Sequence, residues 1–209
     1  MADSEKYWES LSKKIQDPSE TKNKRPDTSD LEVEFISKYL QTTDELLDLG
    51  SGSGLITNKL IEKVATIVAV EKFEGFTRFI KDDPKVLVIN ADILGFKIRK
   101  SFDAILCLGV AQYFKRPDAL SIYKNCFQML KEKGVFIVRM HCGLEKDKIV
   151  NGFSEELQTE YFAEYRQVGS EIKLLNDAGF KNVTKYDILP DSLNVWEDTR
   201  HFIFVCKKG

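Results

Sequence analysis

The chain has 209 residues, enough for one sizeable core, and no shift in composition marks a boundary between two domains. Its 31 Lys and Arg stand against 33 Asp and Glu, a net charge of -2, which offers no bulk attraction for nucleic acid or an anionic membrane. The longest apolar stretch, Ala104 to Ala111, is far too short to span a bilayer, and the N-terminus Met-Ala-Asp-Ser-Glu-Lys lacks a cationic-then-apolar signal pattern, so a cytoplasmic protein is expected.

The pattern from Asp3 to Ile15 places Tyr7, Trp8, Leu11 and Ile15 at helical intervals and predicts an amphipathic helix. A polar loop follows from Asp17 to Asp30, with Pro18, Pro26 and the run Lys22-Asn23-Lys24-Arg25, which reads as a solvated loop or as a grip on a phosphate or carboxylate of a substrate. Ser29 or Asp30 is placed to cap a helix from Leu31 to about Leu40. From there strands are predicted at Glu45–Leu49, Thr66–Glu71, Val86–Asn90, Phe102–Gly109 and Gly134–Met140, with helices at Leu55–Val64, Gly75–Lys81 and Asp118–Leu130 between them. Runs such as Ile67-Val68-Ala69-Val70 and Val135-Phe136-Ile137-Val138 are apolar on both faces, as a parallel sheet covered by helices on both sides requires. A long helix from roughly Glu155 to Ala178 then leads through Gly179-Phe180 to strands around Val183–Leu189 and His201–Lys207. One domain is expected, with residues 1–43 as a helical cap and 44–209 as an α/β core.

The chemistry gathers where the first strand ends. Residues 46 to 54 read Leu-Leu-Asp-Leu-Gly-Ser-Gly-Ser-Gly, and glycine lets the backbone take positive φ and bring its N–H groups close to a ligand. A helix starting at Leu55 would aim its positive end at the same place. The spacing is G-x-G-x-G, with Leu55 where the dinucleotide fingerprint wants its last glycine, and Asp48 adds a carboxylate suited to a cationic ligand. Cys107, Cys126, Cys142 and Cys206 form no C-x-x-C pair, and two histidines are too few for a His-rich metal centre, so no metal site is expected, although a carboxylate magnesium site is not excluded by count.

These motifs resemble the class I (Rossmann-like) S-adenosylmethionine-dependent methyltransferases, over nearly the whole chain after about Asp44. Leu46 to Gly54 is similar to the family's first motif, Val70-Glu71 to the end of its second strand, Asn90-Ala91-Asp92 to the end of its third and Phe102 to Gly109 to its fourth. Met129-Leu130-Lys131-Glu132-Lys133-Gly134 resembles its Leu-Lys-Pro-Gly-Gly turn, with Pro and one Gly replaced. The resemblance implies a seven-stranded, mostly parallel sheet in the order 3-2-1-4-5-7-6, the last strand antiparallel, with helices on both faces. It also implies S-adenosylmethionine as cofactor, held by Asp48, Gly50, Ser51, Gly52 and Gly54, by Glu71, Lys72 and Phe73, by Ala91, Asp92 and Ile93, and by Leu108. Glu71, 23 residues after Asp48, would accept from both ribose hydroxyls, Asp92 and the Ile93 amide would take the adenine edge, and Phe73 would cover its face or serve the core. Asp48 and the backbone near Gly50 and Leu108 would hold the methionine end.

For acceptor chemistry the candidates are Tyr113, His141 and His201. Both histidines stand at strand ends that the implied order makes neighbours, as general base and substrate orienter or as hydrogen-bonded strand ends. Tyr113 follows the fourth strand, and could orient an acceptor or bury its ring beside Phe114. In place of the Asn-Pro-Pro-aromatic signature of amino-group nucleic-acid enzymes the chain has Leu108-Gly109-Val110-Ala111-Gln112-Tyr113, which disfavours base flipping. The expected acceptor is an oxygen or nitrogen of a small molecule, with a compact chain suiting a sugar, nucleotide-sugar or natural product. An RNA or protein acceptor and a non-catalytic regulatory subunit are the alternatives, and a monomer or homodimer is expected. The Tyr7-Trp8 helix reads as a lid over the site or as a permanently packed helix.

Overall fold

The computed structural model describes residues 4–22, 26–155, 157–194 and 196–209. Two helices, α1 (Ser4–Lys14) and α2 (Ser29–Ser37), precede the first strand, β1 (Glu45–Leu49). The β-branched and apolar runs pair as β2 (Thr66–Glu71), β3 (Val86–Asn90), β4 (Phe102–Leu108) and β5 (Leu130–Gly143). Short α3 (Thr57–Leu60) and α4 (Glu74–Thr77) and the longer α5 (Arg116–Met129) make the crossovers. A hairpin of β6 (Lys148–Ser154) and β7 (Thr159–Tyr165) is followed by α6 (Val168–Asp177), β8 (Asn182–Tyr186) and β9 (Thr199–Lys207).

Seven strands form one sheet in the order β3-β2-β1-β4-β5-β9-β8, and β6 and β7 pair separately. β1 to β5 are mutually parallel where they neighbour, and β9 runs antiparallel to both β5 and β8. Numbered without the separate hairpin, this is the expected order 3-2-1-4-5-7-6. Alternate residues of each central strand feed opposite layers. Leu47, Val68, Phe136 and Phe204 pack under α5 and α6, whose Ile122, Tyr123, Cys126 and Leu175 are buried with them. Leu46, Ile67, Leu106 and Ile137 pack under Phe35 and Ile36 of α2 and Leu60 of α3. Among the described residues, no helix is long and apolar enough to cross a membrane.

The structure corrects four local expectations, the simplest being the helix expected at Gly75–Lys81, which is the four-residue α4 at Glu74–Thr77. The long helix from Glu155 is instead the second half of the β6–β7 hairpin plus α6, ten residues long. Leu157, Tyr161 and Tyr165 recur every four residues and imitate a helical stripe, but pairing with 148–154, whose burial alternates with period two, prevails. The helix expected from Leu55 to Val64 shrinks to four α-helical residues and a 3₁₀ turn at Ile61–Lys63, too little to present a dipole to the glycine loop. The cap of α2 is not Ser29 or Asp30; Thr28 precedes the helix, and Asp27 Oδ1 and Oδ2 accept from the Ser29 amide and hydroxyl.

One buried ion pair ties the hairpin's end to the sheet. Arg166 is fully buried and donates through Nε to Glu171 Oε2 at 2.5 Å, and Tyr123 donates to Glu171 Oε1 at 2.5 Å. The guanidinium also donates to the carbonyls of Ala111 and Phe114, at 3.2 and 3.3 Å, so it holds both ends of the 3₁₀ turn that carries Gln112 and Tyr113. Removing one partner of such a pair strands a charge out of water. Glu171→Ala is expected to cost about 3–5 kcal/mol in urea denaturation, and unchanged stability would show that Arg166 finds other partners or water.

Candidate active site

The loop after β1 turns on Gly50, Gly52 and Gly54, at φ +72°, +54° and +76°. The amides of Gly50 and Ser51 donate to the Val70 carbonyl, 2.8 and 3.1 Å away, which pins the loop to the end of β2. Glu71, the last residue of β2, is buried; its Oε2 accepts from the Gly52 amide at 3.0 Å and its Oε1 from the Phe73 amide at 2.9 Å. Burial pushes its carboxyl above the usual range against those amides, and Asp92 adds to the rise. Asp48 is also buried and accepts from Thr57 Oγ1 at 2.6 Å. Desolvation pushes its carboxyl up to about 6, with the Glu71 charge adding and Thr57 opposing. Lys72 binds Asp92 at 2.9 Å and Glu5 of α1 at 2.5 Å.

These groups surround a cavity of about 230 Å³ lined by Asp48, Gly50, Ser51, Gly52, Glu71, Lys72, Phe73, Asp92, Ile93 and Leu108. Gly54 and Ala91 are not in that lining: a Cβ at Gly54 would meet Ile80, and the Ala91 amide donates to the Glu71 carbonyl at 3.1 Å. Helix α1 closes one side of the cavity with Ser4, Glu5 and Trp8. Ser4 Oγ donates to the Phe162 carbonyl at 2.6 Å and accepts from its amide at 2.7 Å, and Arg78 donates to the Ile15 carbonyl at the other end.

A second cavity, of about 380 Å³, shares Trp8, Thr21, Lys22, Gly109, Tyr113 and Arg139 with the first. It brings together all three candidates for acceptor chemistry. His141 of β5 and His201 of β9 face each other in register, their rings stacked at 4.2 Å and 14°. Tyr165 and Trp196 flank His141 at 4.4 and 5.2 Å. Tyr113 meets Trp8 and Tyr161 edge to face at 5.5 and 5.9 Å. Tyr161 is pushed well above the ordinary phenol range by burial and by its hydroxyl neighbours Tyr113 and Tyr165.

Between the cavities, Arg139 donates through Nη1 to Oε1 of fully buried Glu32, which also accepts from Thr28 at 2.6 Å and lies 3.9 Å from Lys22 Nζ. Burial and the Arg139 charge pull the Lys22 ammonium below its ordinary range, against Glu32 and Asp27. Of the expected run Lys22 to Arg25, residues 23–25 lie outside the described residues. Arg139, Glu32, Tyr161 and Tyr165 had no place among the sequence candidates. Arg139 carries a signal, because a lone arginine in the buried run Phe136 to Met140 demands a partner. The two tyrosines do not, because their segment imitates a helix.

Residues 47–138 match a family model described as a methyltransferase domain. The chain is 22% identical over 180 residues to a carboxy-S-adenosyl-L-methionine synthase of Nautilia profundicola, covering 73% of this chain and 76% of that one. A solved S-adenosylmethionine-dependent methyltransferase of Leishmania major superposes with a TM-score of 0.75 at 20% identity, over 97% of this chain and 80% of that one. The 1,6-didemethyltoxoflavin-N1-methyltransferase of Burkholderia thailandensis, solved with that acceptor and S-adenosylhomocysteine, superposes with a TM-score of 0.67 at 14% identity, over 84% and 77%.

The two inner glycines separate strain from contact. Alanine at either position is strained by about 1–2 kcal/mol through its positive φ. At Gly50 the added Cβ also meets Val110 Cγ2 at 2.5 Å, whereas at Gly52 nothing lies within 4 Å. Gly50→Ala is therefore expected to lose more stability than Gly52→Ala in urea denaturation, and equal losses would show that Val110 yields.

Proposed function

We propose that this chain, a methyltransferase by its matched domain and its class I Rossmann-like fold, transfers the methyl group of S-adenosylmethionine to an oxygen or nitrogen of a small molecule. One observation carries the reading: the acid-rich cavity at the glycine loop shares Trp8, Tyr113 and Arg139 with a second, aromatic cavity large enough for a small acceptor. The first cavity fits the cofactor on its own evidence. Ser51 Oγ is buried there without a hydrogen-bond partner, and the space before Gly52 is what a Cβ would fill. When bound, S-adenosylmethionine supplies an electrophilic sulfonium methyl. Asp48 and the backbone near Gly50 and Leu108 would hold its amino-acid end, Glu71 its ribose hydroxyls, and Asp92 with the Ile93 amide its adenine edge, beside Phe73.

The chain's own contribution to the reaction is placement and exclusion of water. Trp8 and Tyr113 form a wall common to both cavities, so an acceptor held against them lies next to the donor. An acceptor hydroxyl needs a group to take its proton, and the stacked His141–His201 pair lines the acceptor side. The Burkholderia neighbour, solved with bound 1,6-didemethyltoxoflavin, supports a small-molecule role on the same fold.

Titration calorimetry with S-adenosylhomocysteine tests the donor site, and its release across a panel of sugars, hydroxy acids and amines tests the acceptor class. Asp48 in the ligand-free protein titrates up to about 6, and a bound ammonium favours its ionised form. Binding between about pH 5 and 6 should therefore release protons, and affinity should rise with pH through that window and then level off. Asp48→Asn is expected to weaken binding by about 1–3 kcal/mol and to reduce the proton release. Wild-type affinity in the variant would displace Asp48 from the site.

A further inference from the structure

We propose that the acceptor is a small ring-bearing anion, its carboxylate or phosphate held by Lys22 and Arg139 at the wall between the two cavities. The proposal rests on the methyltransferase reading above. Its ground is a division of charge. Among the described residues, the second cavity is lined by no Asp or Glu, but by Lys22, Arg139 and Lys148 together with His141 and His201. The donor cavity, by contrast, is lined by five acids, Glu5, Glu32, Asp48, Glu71 and Asp92, against Lys72 and the two shared cations Lys22 and Arg139.

At the shared wall one carboxylate serves two cations. Glu32 Oε1 takes Arg139 Nη1 and Thr28 Oγ1, and Lys22 Nζ stands 3.9 Å off, beyond hydrogen-bond distance. Lys22 keeps only 17% of its side chain exposed, and Arg139 16%, so water offsets little of the surplus positive charge. Burial and its cationic neighbour already pull the Lys22 ammonium downward, and the charge of an anion between the two cations would oppose that pull. Lys148 contributes less, because Asp198 holds it at 2.6 Å in solvent.

Arg139 and His141 are two apart on β5 and both line the cavity, so the anion would lie near the stacked imidazoles. Gln112 Oε1 and Thr199 Oγ1, on buried side chains lining the same cavity, have no partner and are ready for hydroxyl or amino groups of the ring. Trp8, Tyr113, Tyr161, Tyr165 and Trp196 supply flat faces and edges for the ring itself.

The test uses the full chain saturated with S-adenosylhomocysteine, which fills the donor site and settles the claim of that molecule's own carboxylate on the two cations. Tryptophan fluorescence and calorimetry then follow 4-hydroxybenzoate, phenyl phosphate and, as the neutral counterpart, methyl 4-hydroxybenzoate. At least one anion should bind about tenfold or more tightly than the ester, and added salt should erode the difference. Lys22→Gln should abolish that preference while changing S-adenosylhomocysteine affinity less than about twofold. Arg139→Gln should do the same if it folds, and Lys22→Gln keeps the test decisive if it does not. Which anion binds tells a carboxylate acceptor from a phosphate. Equal or tighter binding of the ester, or no binding of any probe, overturns the proposal. So does a Lys22→Gln variant that loses S-adenosylhomocysteine affinity but keeps the anion preference, because the cations would then serve the donor. Failure of S-adenosylhomocysteine to bind the wild-type protein overturns the methyltransferase reading instead, and anion preference measured without it still reports on the wall.

Discussion

The site depends on one constraint, the reversal of strand order at β1. From that strand the sheet grows to β2 on one side and to β4 on the other, so the connections leave in opposite directions and the C-terminal edge between them stays uncovered. Parallel neighbours bring like ends to the same edge. Asp48 near the end of β1, Glu71 at the end of β2, Leu108 at the end of β4 and Arg139 and His141 late in β5 therefore arrive at one rim from far-separated parts of the chain. No side chain needs to reach far.

What that rim holds is expensive without a ligand. Two buried carboxylates and two half-satisfied cations stand within neighbouring cavities, their charge opposed by burial on the carboxylate side at Asp48 and Glu71 and on the cation side at Lys22. The rest of the protein is built to hold them. Glu71 stays in place through two backbone amides, the turn of Gln112 and Tyr113 through the guanidinium of Arg166, and Arg139 through a carboxylate on α2. Such strain at a cleft is relieved by whatever supplies the opposite charge, which turns stability given up in the free protein into selectivity for the bound one.

Much of this was legible before any coordinates. Local chemistry reads well: the G-x-G-x-G spacing demands positive φ, found at all three glycines, and strands apolar on both faces demand helices above and below, whereas the sheet order is implied only by the resemblance to class I methyltransferases. The second cavity reads poorly because it is made by long-range pairing. Tyr161 and Tyr165 reach the cavity only because 159–165 pairs with 148–154, and their four-residue spacing pointed to a helix. Lys22 sits in a run that reads as a solvated loop or as a grip on a substrate phosphate or carboxylate, and only the approach of Arg139 and Glu32 gives it a buried setting. His141 and His201 were legible as neighbours, through the strand order, but not as a stacked pair.

The clasp at the start of α1 has a consequence for how the chain comes together. Ser4 exchanges two hydrogen bonds with Phe162, a partner 158 residues downstream. On a ribosome β1 to β4 can emerge and begin to pair while α1, already made, can seat Glu5 on Lys72 and Trp8 on Phe76 but has no partner for Ser4 until β7 appears. Closing so long a loop is slow, so the Ser4 clasp forms after the helix has met the chain near α4. The wall that the two cavities share, with Trp8 in it, therefore gains its anchor on Phe162 only after the first strands of the sheet have been made.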